Sequence, residues 1–441
     1  MKFNVTLLLL FTISILNAQV SSKEAKKWRA DLQDLKQQLT ERHVNLFHTV
    51  SKDSFELAVA HLDEKIPTLN QAQILVRFAQ LVAMIGDGHT SFYPGNQKKK
   101  WFRFYPIKLW TFSDGIYVIA TAKEQKDLLG KRLIQIDNTP IQDAVSSICS
   151  TIGADNDMEY TYAVPFELPR PELLHALGIA KSSDHAEFVF EGDVRTTFLA
   201  IDLKEWQAVE WVCANSLYEG ASPPSMRVDF LFATNLTLKH VKNKEYYWFE
   251  YLKEEQALYF QYNVCWDQNN RPTFSEVTKE LFQFMDNNPV ERLIIDVRQN
   301  SGGEPNTAQS LINRLAKRTK FTEEGRLFVL VGRRTYSAAL TNAVHLRSQA
   351  NARIVGEYSR GKPNSPSEGR DIDLKSTKIW LSVSTQFVER DPTLEDADYL
   401  PVDIKVAHTF KSFQAAQDLD LQAALNAELL KPKDLNIEMK N

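Results

Sequence analysis

Four short segments carry residue types that could perform acyl-transfer chemistry. Ser337 stands where an apolar run, RLFVLVG (326–332), gives way to a helical pattern opening Thr335-Tyr336-Ser337-Ala338-Ala339. At a strand-to-helix junction the helix dipole and its free N–H groups favour a developing alkoxide or oxyanion, although serine is also an ordinary helix cap there. Gly302-Gly303 follow a second apolar run, RLIIDV (292–297). Paired glycines let backbone N–H groups approach a ligand closely, as an oxyanion hole needs, and they equally make a tight turn. Lys362 lies in the loop after ARIVG (352–356). A desolvated lysine can act as base to a serine, whereas most loop lysines are solvated charges. His89 follows Gly86-Asp87-Gly88 at the end of a nearly apolar helical stretch, where a hydrogen-bonded structural role is the commoner use of histidine.

The elements that must position these residues read from hydrophobic period. In the C-terminal half, ALYFQYNV (257–264), RLIIDV, RLFVLVG and ARIVG are short, β-branched or aromatic runs, apolar on both faces as central parallel strands are. Helical patterns at 274–285, 306–317 and from Thr335 onward separate them, and IWLSVSTQF (379–387) reads as a fifth strand, antiparallel near an edge. Strand–helix alternation of this kind predicts an α/β core, a parallel-centred sheet with helices on both faces and its polar loops meeting at one edge. A last helix spans Phe410 to Leu430. Upstream, amphipathic spacing predicts helices at 24–43, 54–62 and 72–85, the third ending at the Gly86-Asp87-Gly88 stop. From Trp101 to about Ala200 short strands with Asp-Gly and Asp-Asn turns form a small β-rich module with a helix near 141–151. Residues 156–172 are polar and punctuated by proline, and 206–255 are aromatic and irregular, with Ser222-Pro223-Pro224-Ser225 as a loop.

Length and composition bound the function. A chain of 441 residues should hold two or three domains. Its 43% hydrophobic content and net charge of −4, without a basic tract, give no footprint for nucleic acid. Lys2, the apolar run Val5–Leu16 and the small Ala18 describe a cleavable secretory signal with cleavage near Ala18, too short for a comfortable membrane span. Secretion or a periplasmic location is therefore expected, with no integral span after cleavage. Cys149, Cys213 and Cys265 have no metal-like spacing, and burial as small hydrophobes is expected of all three.

Taken together and in order, the segments LIIDVRQNSGG, RLFVLVGRRTYSAA and IVGEYSRGKPN resemble the tail-specific, or C-terminal processing, serine proteases. Their D-x-R-x-N-x-G-G pattern is matched by Asp296, Arg298, Asn300, Gly302 and Gly303, their Ser-Ala pair by Ser337-Ala338, and their G-E-x-T-x-G-K by Gly356, Glu357, Ser359, Gly361 and Lys362. IGDGHTSFYP is similar to the family's D-x-H-T segment, LLGKRLIQIDNTPI to a degenerate PDZ module, and YLPVDIKV loosely to its closing element. The resemblance implies a serine peptidase acting on a peptide or protein, without metal or organic cofactor. Ser337 would be the nucleophile and Lys362 the preferred base. Gly302, Gly303 and Ala338 would form the oxyanion hole, with Asp296, Arg298, Asn300 and Glu357 in support. Two departures keep alternatives open. The family's aromatic-Gly-Lys-Gly is here Arg360-Gly361-Lys362-Pro363. Related tricorn-type proteases take a histidine from the GDGHT region as base, which would be His89, with Glu389 or Glu395 as its distant carboxylate. The PDZ-like module also lacks a clear carboxylate-binding loop.

The expected layout is a signal at 1–18, a helical region at 19–100, the PDZ-like module at 101–205, a connector at 206–255, a protease core at 256–410 and a helical tail at 411–441. Oligomeric state is not legible. The alternative function is a protease-like fold that only binds peptides or apolar ligands, like the retinoid-binding relatives of this fold.

Overall fold

The computed structural model describes residues 19–93, 103–214, 246–267, 269–323 and 325–429. The signal-like segment 1–18 and the Ser222–Ser225 loop lie outside them.

The C-terminal half folds around a six-stranded sheet in the order β15-β12-β11-β10-β9-β8. Its strands are β8 (Tyr247–Leu252), β9 (Ala257–Tyr262), β10 (Arg292–Asp296), β11 (Leu327–Val331), β12 (Arg353–Gly356) and β15 (Ile404–Lys405). All neighbours pair in parallel except β8, which runs antiparallel to β9. Alternate residues of each strand serve different layers. Leu293, Ile295, Leu327 and Val329 pack with residues of helices Phe274–Asn287, Gln309–Leu315 and Ala338–Ala350. Ile294, Phe328, Leu330 and Val355 face Ala424 and Leu421 of helix Leu419–Asn426. The parallel-centred α/β sheet with helices on both faces is therefore the fold observed.

Three local expectations are corrected. The 379–387 run is β14 (Trp380–Glu389), but it forms a separate antiparallel hairpin with β13 (Asn364–Asp373) and is not a strand of the six-stranded sheet. Its inward residues Leu381 and Val383 pack into the N-terminal helical cluster, so the sheet core is not where they are buried. The 410–430 helix is two, Phe410–Gln414 and Leu419–Asn426, because Asp418 leaves the helical path to cap the second and meet Arg298. Residues 157–167, polar and punctuated by proline in the sequence, form a helix whose first turn is capped by Asn156 and carries Asp157 and Glu159, with Pro165 in its last turn. Finally, β8 falls in the stretch read as irregular connector, its pattern masked by aromatic residues on both faces.

The N-terminal helices Ser22–Arg42, Lys52–Lys65 and Gln71–Ala83 form a second core. The first begins at a capping box, the Ser21 side chain on Glu24 N–H and the Glu24 carboxylate on Ser21 N–H, and buries Trp28, Leu32, Leu35 and Leu39 at helical spacing. Each such side chain contributes about 2 kcal/mol. On the same helix Asp31 and Asp34 are buried, and they accept the backbone N–H groups of Lys375, Ser376 and Thr377 at the hairpin tip. The hairpin is thus a strut from the protease-like core to the N-terminal helices, and Ser91 bridges to Ser382 on it.

Between these lies a β-rich module with two small sheets. One joins β1 (Ile107–Phe112), β2 (Gly115–Ala122) and β7 (Trp211–Cys213); the other runs β4-β3-β5-β6, from Thr139–Pro140, Leu133–Ile136, His185–Phe190 and Val194–Leu199. Helices Ile141–Cys149, Asp157–Glu167 and Pro171–Ala176 close its core. No helix among the described residues is long and apolar enough to cross a membrane.

Candidate active site

The turn into helix Ala338–Ala350 holds Ser337 at φ 52°, ψ −124°. A non-glycine residue in this region is strained, and such strain is kept where a side chain must be presented at a helix N-terminus. Gly302 packs directly on it. A Cβ there would come within 2.8 Å of Ser337 Cβ and 3.0 Å of the Ala338 nitrogen, and its φ of 109° excludes other side chains as well.

Asn300 shapes that glycine loop. Its Oδ1 accepts the Gly302 N–H at 2.9 Å, its Nδ2 donates to Tyr262 O, and its carbonyl accepts the Tyr336 N–H. Buried Cys265 adds a second tie, donating its N–H to Gly302 O while its carbonyl accepts from Glu304 N–H. Cys149 and Cys213 are only half-buried, against the expectation of full burial. Gly302 therefore spends its own N–H on shape. Gly303 and Ala338 donate theirs to no acceptor among the described residues, so these two remain available to an incoming oxyanion.

The sequence offered two bases, and the structure treats them differently. Lys362 is part-exposed, and its Nζ lies 2.6 Å from Asp398 Oδ1 at the surface. His89 is brought against the residue preceding the serine. Its ring stacks on Tyr336 with centroids 4.5 Å apart, and its Nδ1 is 2.8 Å from Tyr336 Oη. Nε2 is buried without a hydrogen-bond partner. Burial, then the positive charge of Arg390, push the His89 pKa down to about 4 against the weaker pull of Asp87. The ring is neutral at neutral pH.

Asp87 organises the turn that presents this histidine. Its Oδ1 accepts from His89 N–H, Thr90 N–H and the Ser384 hydroxyl, and its Oδ2 meets His43 Nε2 at 2.7 Å. Burial raises its pKa, but the His43 and Ser384 hydrogen bonds outweigh this and hold it below the usual range. Asp87 is therefore occupied. Glu389 and Glu395, the carboxylates considered for His89, are both exposed.

The remaining supporting residues turn out to fasten elements. Asp296 and Arg298 join Asp418 and Asp420 in a buried cluster, with Arg298 Nη2 2.6 Å from Asp296 and Nη1 2.7 Å from Asp418; Tyr259 also donates to Asp296. Glu357 grips Arg333 at 2.7 and 2.8 Å, and Arg333 Nη1 donates to Thr111 O, tying the core to β1.

Several residues at the site were not singled out in the sequence. Arg360 is half-buried, donates to Glu159 at 2.8 Å, and lies over the rings of Tyr162 and Tyr336 at 4.1 and 4.4 Å. Its signal was the departure from an aromatic residue in the motif. Arg390 donates to Thr341 Oγ1, Pro363 O and Ser367 Oγ. Asp155 accepts the Gly88 N–H, and burial with nearby Asp87 pushes its pKa up to about 7. Asn156 donates to the carbonyls of Ser359, Gly361 and Asp398, setting the course of the Lys362 loop. Nothing local in the sequence marks Arg390, Asp155 or Asn156, because their partners lie far along the chain.

No family model and no curated protein matches the sequence. Solved structures do. The chain aligns with mature CPAF complexed with lactacystin at a TM-score of 0.58 and 12% identity, covering 92% of this chain and 100% of that one. A second structure of mature CPAF gives 0.57, 12%, 92% and 98%. A C-terminal processing protease of photosystem II aligns with a TM-score of 0.37 and 14% identity over 88% of this chain and 94% of that one. The architecture is an α/β protease-like fold carrying a β-rich insert. It is the fold of mature CPAF, and the resemblance drawn from the motifs stands with it at that level.

Proposed function

We propose that this chain is an exported serine endopeptidase of the tail-specific type, with Ser337 as nucleophile. The observation that carries the reading is the strained serine at a helix N-terminus, packed on a glycine loop whose neighbouring N–H groups at Gly303 and Ala338 are unspent. Ser337 Oγ attacks the peptide carbonyl, and the oxyanion is stabilised by those two N–H groups. The proton passes to a base, which then returns it to the leaving amine. The lysine tied to Asp398 at the surface, and the neutral histidine beside Tyr336, favour His89 over Lys362 as that base. If Nδ1–H donates to Tyr336 Oη, the lone pair of Nε2 is free to accept the proton. Export rests on the signal-like first 18 residues.

One observation favours the rival reading of a ligand-binding, catalytically silent protein. Burial opposes an imidazolium at His89, as do Arg390 and Arg360, and the pull of Asp87 is too weak to offset them.

Labelling with a fluorophosphonate probe decides between them. The purified protein should label covalently, Ser337→Ala should not label, and His89→Gln should label far more slowly. Labelling of Ser337→Ala at the parent rate would remove this serine as nucleophile, and an unlabelled parent would favour the binding protein.

A further inference from the structure

Behind His89 and Tyr336 the structure holds a cavity of about 500 Å³. It is enclosed by β1, β2 and helix Asp157–Glu167, and its walls include Phe104, Leu109, Trp110, Ile119, Phe166 and Trp206. Of its lining, the peptidase reading uses only His89 and Tyr336. A volume of this size, with aromatic walls and polar groups among them, is the usual form of a small-molecule site.

One wall group has no account in the fold. Arg170 lines the cavity at 6% exposure, yet its Nε and Nη1 find no hydrogen-bond partner, and no carboxylate among the described residues lies within ion-pair distance of its guanidinium. Its guanidinium lies over the face of Phe104, with Cζ 4.4 Å from the ring centroid. A buried guanidinium without an acceptor is destabilising. Glu167 and Glu172 attract it from beyond ion-pair distance, and burial still outweighs them. Burial raises the pKa of Glu167, also in the wall, against the opposing pull of Arg170. Lys108, over Trp206 and Trp211 at 5.1 and 4.4 Å, adds positive charge at the wall.

From the cavity and its orphaned arginine we infer a binding site for an apolar monocarboxylate, its carboxylate paired with the Arg170 guanidinium and its hydrocarbon or aryl body among the aromatic side chains. The match is specific in sign and in number of charges. An alcohol of the same length would fill the cavity without satisfying the arginine, and an amine would oppose it. His89 and Tyr336 share in the lining but Ser337 does not, so binding is read in the Ser337→Ala background, apart from the peptidase reaction.

The test uses the full chain with Ser337→Ala, titrated below micelle formation with dodecanoate, dodecanol and dodecylammonium. Calorimetry and quenching of tryptophan fluorescence read the binding, since Trp110 and Trp206 line the cavity. Dodecanoate should bind saturably at one site and more tightly than dodecanol, with dodecylammonium weakest. Arg170→Leu should weaken dodecanoate at least tenfold and leave dodecanol within about twofold. Ala163→Phe, which fills the cavity from helix Asp157–Glu167, should weaken both and serves if the arginine variant does not fold. No saturable dodecanoate binding, equal binding of dodecanoate by Arg170→Leu and the parent, or undiminished binding by Ala163→Phe would each overturn the inference.

Discussion

Buried arginines occur on two sides of this protein and are treated in opposite ways. Beneath the sheet, every side-chain nitrogen of Arg298 is bonded to a carboxylate, with Asp296, Asp418 and Asp420 sharing the work. Burial alone would lower the Arg298 pKa, but those three charges raise it well above its ordinary value. Around His89 the balance is reversed. Arg390 meets only neutral acceptors, Arg360 has one carboxylate and leaves Nε unpartnered, and Arg170 has no side-chain hydrogen bond at Nε or Nη1. A saturated network holds a structure together. An unsaturated one sets an electrostatic field that acts on whatever enters, at a cost in stability.

The largest effect should come from opening the saturated side. Arg298→Met leaves three buried carboxylates without their cation, and removal of one partner from such a network costs about 3–5 kcal/mol. Urea unfolding should register that loss, while probe labelling per folded molecule stays at the parent level. A loss below about 1 kcal/mol would mean that the cluster is already open to water, and the contrast between the two sides would fail.

A smaller effect, of opposite character, is expected beside the serine. His89 has a folded pKa near 4 against 6.5, so between those values the unfolded chain binds the extra proton, and stability falls as pH drops through this window. Asp155 has a folded pKa near 7 against 3.8, so there the folded chain holds the extra proton, and stability falls as pH rises from 3.8 to 7. Each contribution is roughly 3–4 kcal/mol. They oppose each other over most of the same range, so the parent should show little net slope from the pair. His89→Gln should expose the Asp155 slope, losing stability from pH 4 to 7, and Asp155→Asn should expose the reverse. Parallel, flat stability curves for both variants would show that neither group is shifted.

Much of this was readable from the chain because its causes are local. Central strands are apolar on both faces, helix stops carry glycine, and the Ser337 and Gly302-Gly303 turns sit where short-range rules place them. The strand at 380–389 was legible as a strand but not in its address, since the helices it supports lie some 300 positions earlier. The same distance hid Asp155, Asn156 and Arg390, whose meaning exists only beside His89, Tyr336 and the 359–363 loop. Lys362 was the harder case. Its place in the motif is legible, but its direction depends on the loop, and there Asn156 holds the carbonyls of Ser359 and Gly361 while Asp398 meets the ammonium.

That lysine gives the smallest predicted effect and the cleanest division between the bases. Its ion pair with Asp398 is solvent-exposed, and such pairs contribute about 0–1 kcal/mol. Lys362→Met should therefore leave the unfolding midpoint almost unchanged. If His89 takes the proton from Ser337, the same variant should label within about twofold of the parent, whereas loss of a general base costs roughly 10²–10⁴ in rate. His89→Gln should show that larger deficit at pH 7. A hundredfold loss in Lys362→Met, with His89→Gln near normal, would place the ammonium at the serine during reaction and require the Asp398 pair to break as substrate binds. The saturated and unsaturated sides would still differ, but the field around His89 would then serve the ligand cavity rather than the nucleophile.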